Sequence, residues 1–203
     1  ENGFLTDLVC KDGTYDADLF IDCSGFKSLL LGGELKEEYI SFKDTSINNK
    51  ALRAKIPYTN KEEQLKSYTN CVALENGWCW EIPLWDGMSV GYVHSDKFAT
   101  EEEIKREFVN RYGNIDCELI EFKSGVYGRG WVKNVIGVGL SYGFIEPLEG
   151  TGIATTLDNS FRMLECLSKR GMNYTSIDRD LFNYSIKKRM YSYRGLLDMH
   201  YYL

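Results

Sequence analysis

The sequence is poor in the residues that build metal sites. It has two histidines, far apart in the chain, and its six cysteines never form a CxxC pair. Structural zinc sites need four ligands at short spacings, so we expect no bound metal. Several cysteines lie in apolar runs, where a reduced thiol behaves as a small hydrophobic group. This usage favours a reducing, cytoplasmic environment.

An excess of positive charge and a long apolar run are also missing. The formal net charge is -6 and the pI is about 5.1, which disfavours binding to nucleic acid or to an anionic membrane surface. No apolar run approaches the roughly 20 residues that cross a bilayer, and no signal peptide opens the chain. We therefore expect a soluble protein. Because it begins at Glu1 and stops at Leu203 within a periodic pattern, we also expect an internal segment of a longer protein.

The glycine-rich stretch 138–153 organises the rest of the chain. An apolar run precedes it, and apolar residues at helical spacing follow it, so it predicts a strand, a loop and a helix. Glycines allow close approach of a ligand to the backbone, and the start of a helix presents unpaired N–H groups. The amides of Thr151 and Gly152 are thus placed to bind an anion. The helical residues are Ile153, Leu157, Phe161, Leu164 and Leu167.

Two carboxylates, Glu146 and Glu149, flank Pro147 in this apolar stretch. A carboxylate in such surroundings is costly unless it is paired or functional. A plain turn from strand to helix, with Glu149 as a charge in the first helical turn, explains the same pattern equally well.

The first 100 residues predict mainly strands. Residues 4–10 and 18–23 are strand candidates joined as a hairpin through Asp12 and Gly13. The small residues after Cys23 predict either a simple turn or a ligand-contacting loop. Residues 51–56, 68–74, 78–84 and 88–94 predict an antiparallel sheet. Strand alternation places Trp78, Trp80 and Ile82 on one face, where they line either an aromatic cavity or, more commonly, a core.

Helices and a further strand complete the pattern. Thr100 and Glu103 form a capping box for a helix ending near residue 112, and residues 118–127 predict a strand. The central helix should end near residue 169 with Gly171 as its stop, and another helical region follows from residue 178. We therefore predict an α+β fold with mostly antiparallel sheet, with a core of residues 1–171 and a helical region of residues 172–203.

Two motifs together resemble those of the flavin-dependent tryptophan halogenases. Residues 77–83 read GWCWEIP, which resembles the WxWxIP motif of that family, and residues 143–149 read GFIEPLE, which resembles its GF(L/I)EPLE segment. Residues 18–26, 91–95 and 131–134 are also similar. The similarity runs from about residue 18 to residue 167, which corresponds to only the middle of a family member.

The resemblance implies a flavin-monooxygenase-like fold in which this chain holds the end of the FAD-binding unit. Such enzymes take FADH2 from a separate reductase. A flavin hydroperoxide reacts with chloride or bromide, and the hypohalous acid reaches a lysine and a glutamate beside an electron-rich aromatic substrate such as tryptophan or another indole. A buried carboxylate can steer the electrophile or take the proton that the arene loses.

The resemblance also assigns residues to roles. Glu149 matches the catalytic glutamate, and the amides of Thr151 and Gly152 match the halide site. Gly139, Leu140 and Ile153 match flavin-contacting positions. The WxWxIP residues, which keep the substrate away from the flavin, are Trp78, Trp80, Ile82 and Pro83.

The chain departs from the family at Gly150, where a serine is usual, and the GxGxxG loop and catalytic lysine fall outside it. We expect the segment alone to be inactive. Two alternatives stay open: a related flavin monooxygenase that hydroxylates its substrate, and a non-catalytic homologue that binds flavin or aromatics.

Overall fold

The computed structural model describes residues 3–202 and contains two compact units. The first combines the described residues up to Ser46 with those from Ser124 onward, and the second spans Ile47–Lys123. Both chain ends, Glu1 and Leu203, lie outside the described residues. The division after residue 171 stays a prediction.

Short strands dominate the chain before residue 150, and two long helices follow. The strands are β1 (Asp7–Cys10), β2 (Gly13–Asp16), β3 (Phe20–Asp22), β4 (Tyr39–Ser41), β5 (Lys50–Ile56), β6 (Asn70–Leu74), β7 (Gly77–Leu84), β8 (Gly87–His94), β9 (Glu118–Glu121), β10 (Gly125–Tyr127), β11 (Trp131–Val132), β12 (Val135–Gly137) and β13 (Gly143–Phe144). The helices are α1 (Lys61–Gln64), α2 (Glu101–Tyr112), α3 (Thr151–Arg170) and α4 (Ser176–Tyr202).

In the first unit, strand β3 pairs with a strand that is distant in sequence. A hairpin forms at the predicted turn, but it joins β1 to β2, with Cys10 opposite Gly13. The predicted partner, residues 18–23, is therefore wrong. Strand β3 instead runs parallel to β12, with Ile21 opposite Ile136. Because parallel neighbours share a carboxyl edge, the loops that follow β3 and β12 meet.

The second unit is built on an antiparallel sheet of order β6-β7-β8-β5-β9. Its four strands β5 to β8 confirm the predicted pattern to within two residues at each end. Helix α2 covers one face, where Ile104 and Phe108 pack against Cys79 and Tyr92. The capping box of Thr100 and Glu103 is present. The predicted strand 118–127 is interrupted, because residues 122–124 separate β9 from β10.

Helix α3 ends at Arg170 with Gly171 as its C-cap, as predicted. Its buried positions include Thr155, Asn159 and Met163. Most of its apolar stripe is exposed, and only Leu167 at its end packs against the core. Helix α4 buries Ile186 and Met190, among others, in the core of the first unit. Among residues 3–202, no helix is long and apolar enough to cross a membrane.

Candidate active site

The loops that follow the parallel strands β3 and β12 are tied together by buried hydrogen bonds. The hydroxyl of Ser28 donates to the carbonyl of Ser141 at 2.7 Å, and the amide of Val138 donates to the carbonyl of Asp22 at 3.0 Å. The site is therefore assembled at the carboxyl edge of this strand pair, where open α/β sheets bind ligands.

The side chain of Asp22 holds the first of these loops in shape. Its carboxylate accepts hydrogen bonds from the hydroxyl of Ser24 at 2.5 Å and from the amides of Leu30 and Leu31 at 2.9 and 3.0 Å. Burial by itself raises the pKa of Asp22, but these hydrogen bonds stabilise the charged form, so its pKa lies below the usual value. Sequence patterns gave no sign of this role, because the amides belong to a segment with no recognisable motif.

The second loop packs against the first turns of α3. Gly139 has φ +68°, and a Cβ added there would lie 2.9 Å from Oγ1 of Thr156. This contact brings Gly139 beside the start of the helix. The side chains of Leu140 and Ile153, the other two predicted cofactor contacts, are both exposed.

The amino end of α3 carries the proposed anion-binding amides. Gly150 is the N-cap residue, with φ 61°, and as a glycine it has no side chain to cap the helix. Thr151 is buried, and its hydroxyl donates to the carbonyl of Glu146 at 3.4 Å. A Cβ at Gly152 would lie 3.5 Å from the ring of Phe144, which is ordinary contact. The first amides of the helix therefore belong to a well-defined turn.

The two glutamates of the loop have opposite environments. Glu146 is only 1% exposed, and its Oε1 accepts a hydrogen bond from the hydroxyl of Tyr201 at 2.5 Å. The side chain of Glu149 is 53% exposed, and its Oε1 lies 3.5 Å from Nε2 of His200. Of the two glutamates, Glu146 is therefore the buried one within the described residues, and the catalytic role of Glu149 stays a prediction.

The backbone at Glu149 is unusual. It has φ 60° and ψ 11°, in the left-handed region, and Gly150 follows in the same region. A non-glycine residue there costs about 1–2 kcal/mol, and such strain is concentrated at functional sites. The two residues place the Glu149 carboxylate at the turn immediately before α3.

The predicted tryptophan pair lies in the second unit. The rings of Trp78 and Trp80 meet edge to face, with centroids 6.2 Å apart and planes at 61°. Trp78 is buried and Trp80 half-buried, while Ile82 is exposed and Pro83 is half-buried. A Cβ at Gly91 would lie 2.0 Å from the Trp80 ring, so the indole occupies the space above that glycine. The alternation of the strand is as predicted, and the roles of these residues stay predictions.

Helix α4 supplies contacts that the sequence reasoning did not include. His200 and Tyr201, in its last turn, meet Glu149 and Glu146. They are about 50 residues away in sequence, and no periodicity connects them to the loop.

Comparison with known proteins decides the family. Residues 1–203 match the family model described as tryptophan halogenase. The chain belongs to the tryptophan halogenase family.

Two curated relatives are about one third identical to this chain over the region that matches. Tryptophan 6-halogenase ThaL of Streptomyces albogriseolus is 33% identical over 100% of this chain and 39% of its own length. Tryptophan 7-halogenase RebH of Lentzea aerocolonigenes is 33% identical over 99% of this chain and 38% of its own length. The chain therefore spans about two fifths of the length of these relatives.

The solved tryptophan 6-halogenase SttH of Streptomyces toxytricini has a TM-score of 0.91 and 30% identity. The matched region includes 99% of this chain and 40% of the SttH chain. The similarity confirms the predicted α+β fold of this chain. The names of the relatives differ in the ring position that they specify.

The residues of the site are chemically suited to a flavin and a halide. The rings of Phe26 and Phe144 meet edge to face, with their centroids 5.4 Å apart. Together with the exposed Leu140 and Ile153, they offer apolar surface for an isoalloxazine ring. A Cβ at Gly150 would meet nothing within 4 Å among the described residues, so these residues leave space beside the N-cap position. Backbone amides suit a halide because they carry partial positive charge and are not easily oxidised.

Proposed function

We propose that this chain forms the flavin-facing and halide-facing part of an enzyme that halogenates an electron-rich aromatic substrate, tryptophan or a similar indole. The observation that carries the proposal is the turn at Glu149 and Gly150. It places a carboxylate directly before a helix whose N-cap residue, Gly150, has no side chain to cap it. The GF(L/I)EPLE and WxWxIP motifs and the family membership support the same function.

In this proposal, Gly139, Leu140 and Ile153 hold FAD, and the amides of Thr151 and Gly152 hold chloride or bromide. The reduced flavin, when bound, supplies the chemistry that uses oxygen to oxidise the halide to hypohalous acid. The protein holds the halide where the helix dipole and two N–H groups stabilise its negative charge.

Glu149 acts at the aromatic ring. As the new carbon–halogen bond forms, the ring carbon must lose a proton, and the carboxylate of Glu149 accepts it. The hydroxide equivalent of hypohalous acid leaves as water, so the arene and hypohalous acid become halogenated arene and water. A positioned base typically accelerates such a step by about 10²–10⁴-fold. Trp78, Trp80, Ile82 and Pro83 separate this chemistry from the flavin.

The partners follow from the same proposal. A separate flavin reductase supplies FADH2, and the substrate is a small aromatic molecule. We place the protein in the cytoplasm, where a reductase and reduced flavin are available.

The test uses the full-length protein with FAD, NADH, a flavin reductase, oxygen, halide and a panel of indoles. Halogenated product is expected from the wild-type protein, and Glu149→Gln should reduce its rate by about 10²-fold or more. The matched control is Glu165→Gln, which removes an exposed carboxylate of α3 paired with Lys169 and should leave the rate unchanged. Hydroxylated product would favour a monooxygenase, and flavin or indole binding without turnover would favour a non-catalytic homologue.

A further inference from the structure

The carboxyl end of α4 contacts both glutamates of the loop through adjacent residues. His200 lies 3.5 Å from Glu149, an ion-pair distance, and Tyr201 donates a hydrogen bond to Glu146. In each pair the two residues are about 50 positions apart in sequence. One helix end therefore reaches the exposed glutamate proposed for the chemistry and the buried glutamate beside it.

The position of this helix end is fixed by buried contacts. Asn183 binds the backbone at the start of β11. Ile186, Met190 and Leu197 are buried in the core. The hydrogen bond between Tyr201 and the 1% exposed Glu146 secures the last turn. His200 is therefore held by a rigid element, which is how a precise contact is usually supported.

The imidazole of His200 is itself oriented by the helix. Its Nδ1 lies 2.9 Å from the carbonyl oxygen of Leu196. Because a carbonyl oxygen only accepts hydrogen bonds, Nδ1 must carry a proton. Nε2 is the ring atom that faces Glu149, and it lies 3.5 Å from the carboxylate.

We propose that His200 is a positioning residue that orients the carboxylate of Glu149. This inference rests on the proposed function, because it assigns His200 a purpose through Glu149. Glu149 is the charged group that faces the ring from the neighbouring loop, while Glu146 is bound by Tyr201. On the same helix, Asp198 pairs with Arg194 at 3.6 Å. Orienting matters because a shift of about 1 Å at a reacting group can cost 10²-fold in rate.

The test compares His200→Leu, which removes the ring nitrogens, with His200→Gln, which keeps an N–H donor, in the full-length protein. His200→Leu should lower kcat for halogenation about tenfold or more with KM for the indole nearly unchanged. His200→Gln should restore much of the rate. Asp198→Asn is the matched control on the same helix and should have wild-type kcat.

A double-mutant cycle separates action through Glu149 from a general effect on folding. In the Glu149→Gln background, His200→Leu should cause no further loss. An equal loss in both backgrounds, or an unchanged kcat in the wild-type background, would overturn the inference.

A crystal structure of the His200→Leu protein provides a measurement that does not depend on turnover. The Glu149 carboxylate should leave its wild-type position or occupy several rotamers. A carboxylate that stays in place would also overturn the inference, even if the wild-type protein halogenates nothing. Failure of the proposed function gives a different pattern, namely no halogenated product or no effect of Glu149→Gln.

Discussion

Asn183 of α4 satisfies three backbone groups of the buried segment at Trp131. Its Oδ1 accepts hydrogen bonds from the amides of Trp131 and Gly130 at 2.8 and 2.9 Å, and its Nδ2 donates to the carbonyl of Trp131 at 2.9 Å. One side chain therefore joins α4 to β11, which pairs with β12, the strand that leads into the glycine-rich loop. His200 and Tyr201 lie at the other end of the same helix.

Replacement of Asn183 by leucine should destabilise the protein. Three buried backbone groups would lose their partner, and each unsatisfied group costs about 1–3 kcal/mol. We expect a loss of about 3 kcal/mol or more, measured by urea unfolding of the full-length protein. Ser192→Ala, which removes an exposed hydroxyl bound to the carbonyl of Lys188 on the same helix, is the control. A loss no larger than that of the control would contradict the anchoring role.

Two glycine substitutions distinguish packing from ligand binding in the loop. Gly139→Ala forces a left-handed conformation and places a methyl group 2.9 Å from Thr156, so it should cost about 1–2 kcal/mol of stability or more. Gly152→Ala makes only ordinary contact with Phe144, and it improves helix propensity by up to about 1 kcal/mol.

We therefore expect Gly152→Ala to keep or raise Tm while weakening halide use, because its methyl group lies next to a proposed halide-binding amide. The measurement is the KM for chloride and bromide beside the melting curve. If a well-folded variant has unchanged KM values for chloride and bromide, Gly152 is not part of the halide site.

The tryptophan pair should respond to substitution differently at its two positions. Trp80 is half-buried, so Trp80→Phe should leave Tm nearly intact and alter product distribution or hydrogen peroxide release. Trp78 is buried, and Trp78→Phe should also reduce stability, by about 1–3 kcal/mol. Trp85→Phe is the control, because Trp85 is 79% exposed. Stability loss with unchanged activity per folded molecule would show that the pair serves only as core.

The buried His94 should make the protein less stable in mildly acidic solution. Desolvation, helped by the ammonium of Lys50, lowers the pKa of His94 below 6.5, against the opposing effect of Asp96 and Glu101. Above pH 6.5 the ring is neutral in both the folded and the unfolded state. As the pH falls below that value, the unfolded state binds a proton and the folded state does not, so stability is lost.

The measurement is the free energy of unfolding between pH 7.5 and about 5, above the range in which the carboxylates with lowered pKa values contribute. The ring centroids of His94 and Tyr92 are 5.8 Å apart. His94→Phe keeps a ring at this position, but that ring cannot be protonated. Its stability should fall less over this range than that of the wild-type protein. Equal slopes for the two proteins would contradict the assignment.

Sequence patterns alone determined the local elements of this protein. Strands β5 to β8, the capping box at Thr100 and Glu103, and the stop of α3 at Gly171 all follow from short-range rules of alternation, capping and glycine conformation. The strand-loop-helix at residues 138–153 and its two glutamates also followed, because an apolar run, glycines and a helical period are adjacent in sequence.

The tertiary structure alone decided which groups meet. It pairs β3 with β12 across more than 100 residues, buries Glu146 and exposes Glu149, and brings His200 and Tyr201 to these glutamates. It also buries the side of α3 that carries Thr155 and Asn159, while Phe161 of the apolar stripe is exposed. Local patterns specify the period of a segment but not the partner that it packs against, because that choice depends on burial and hydrogen bonding over the whole chain.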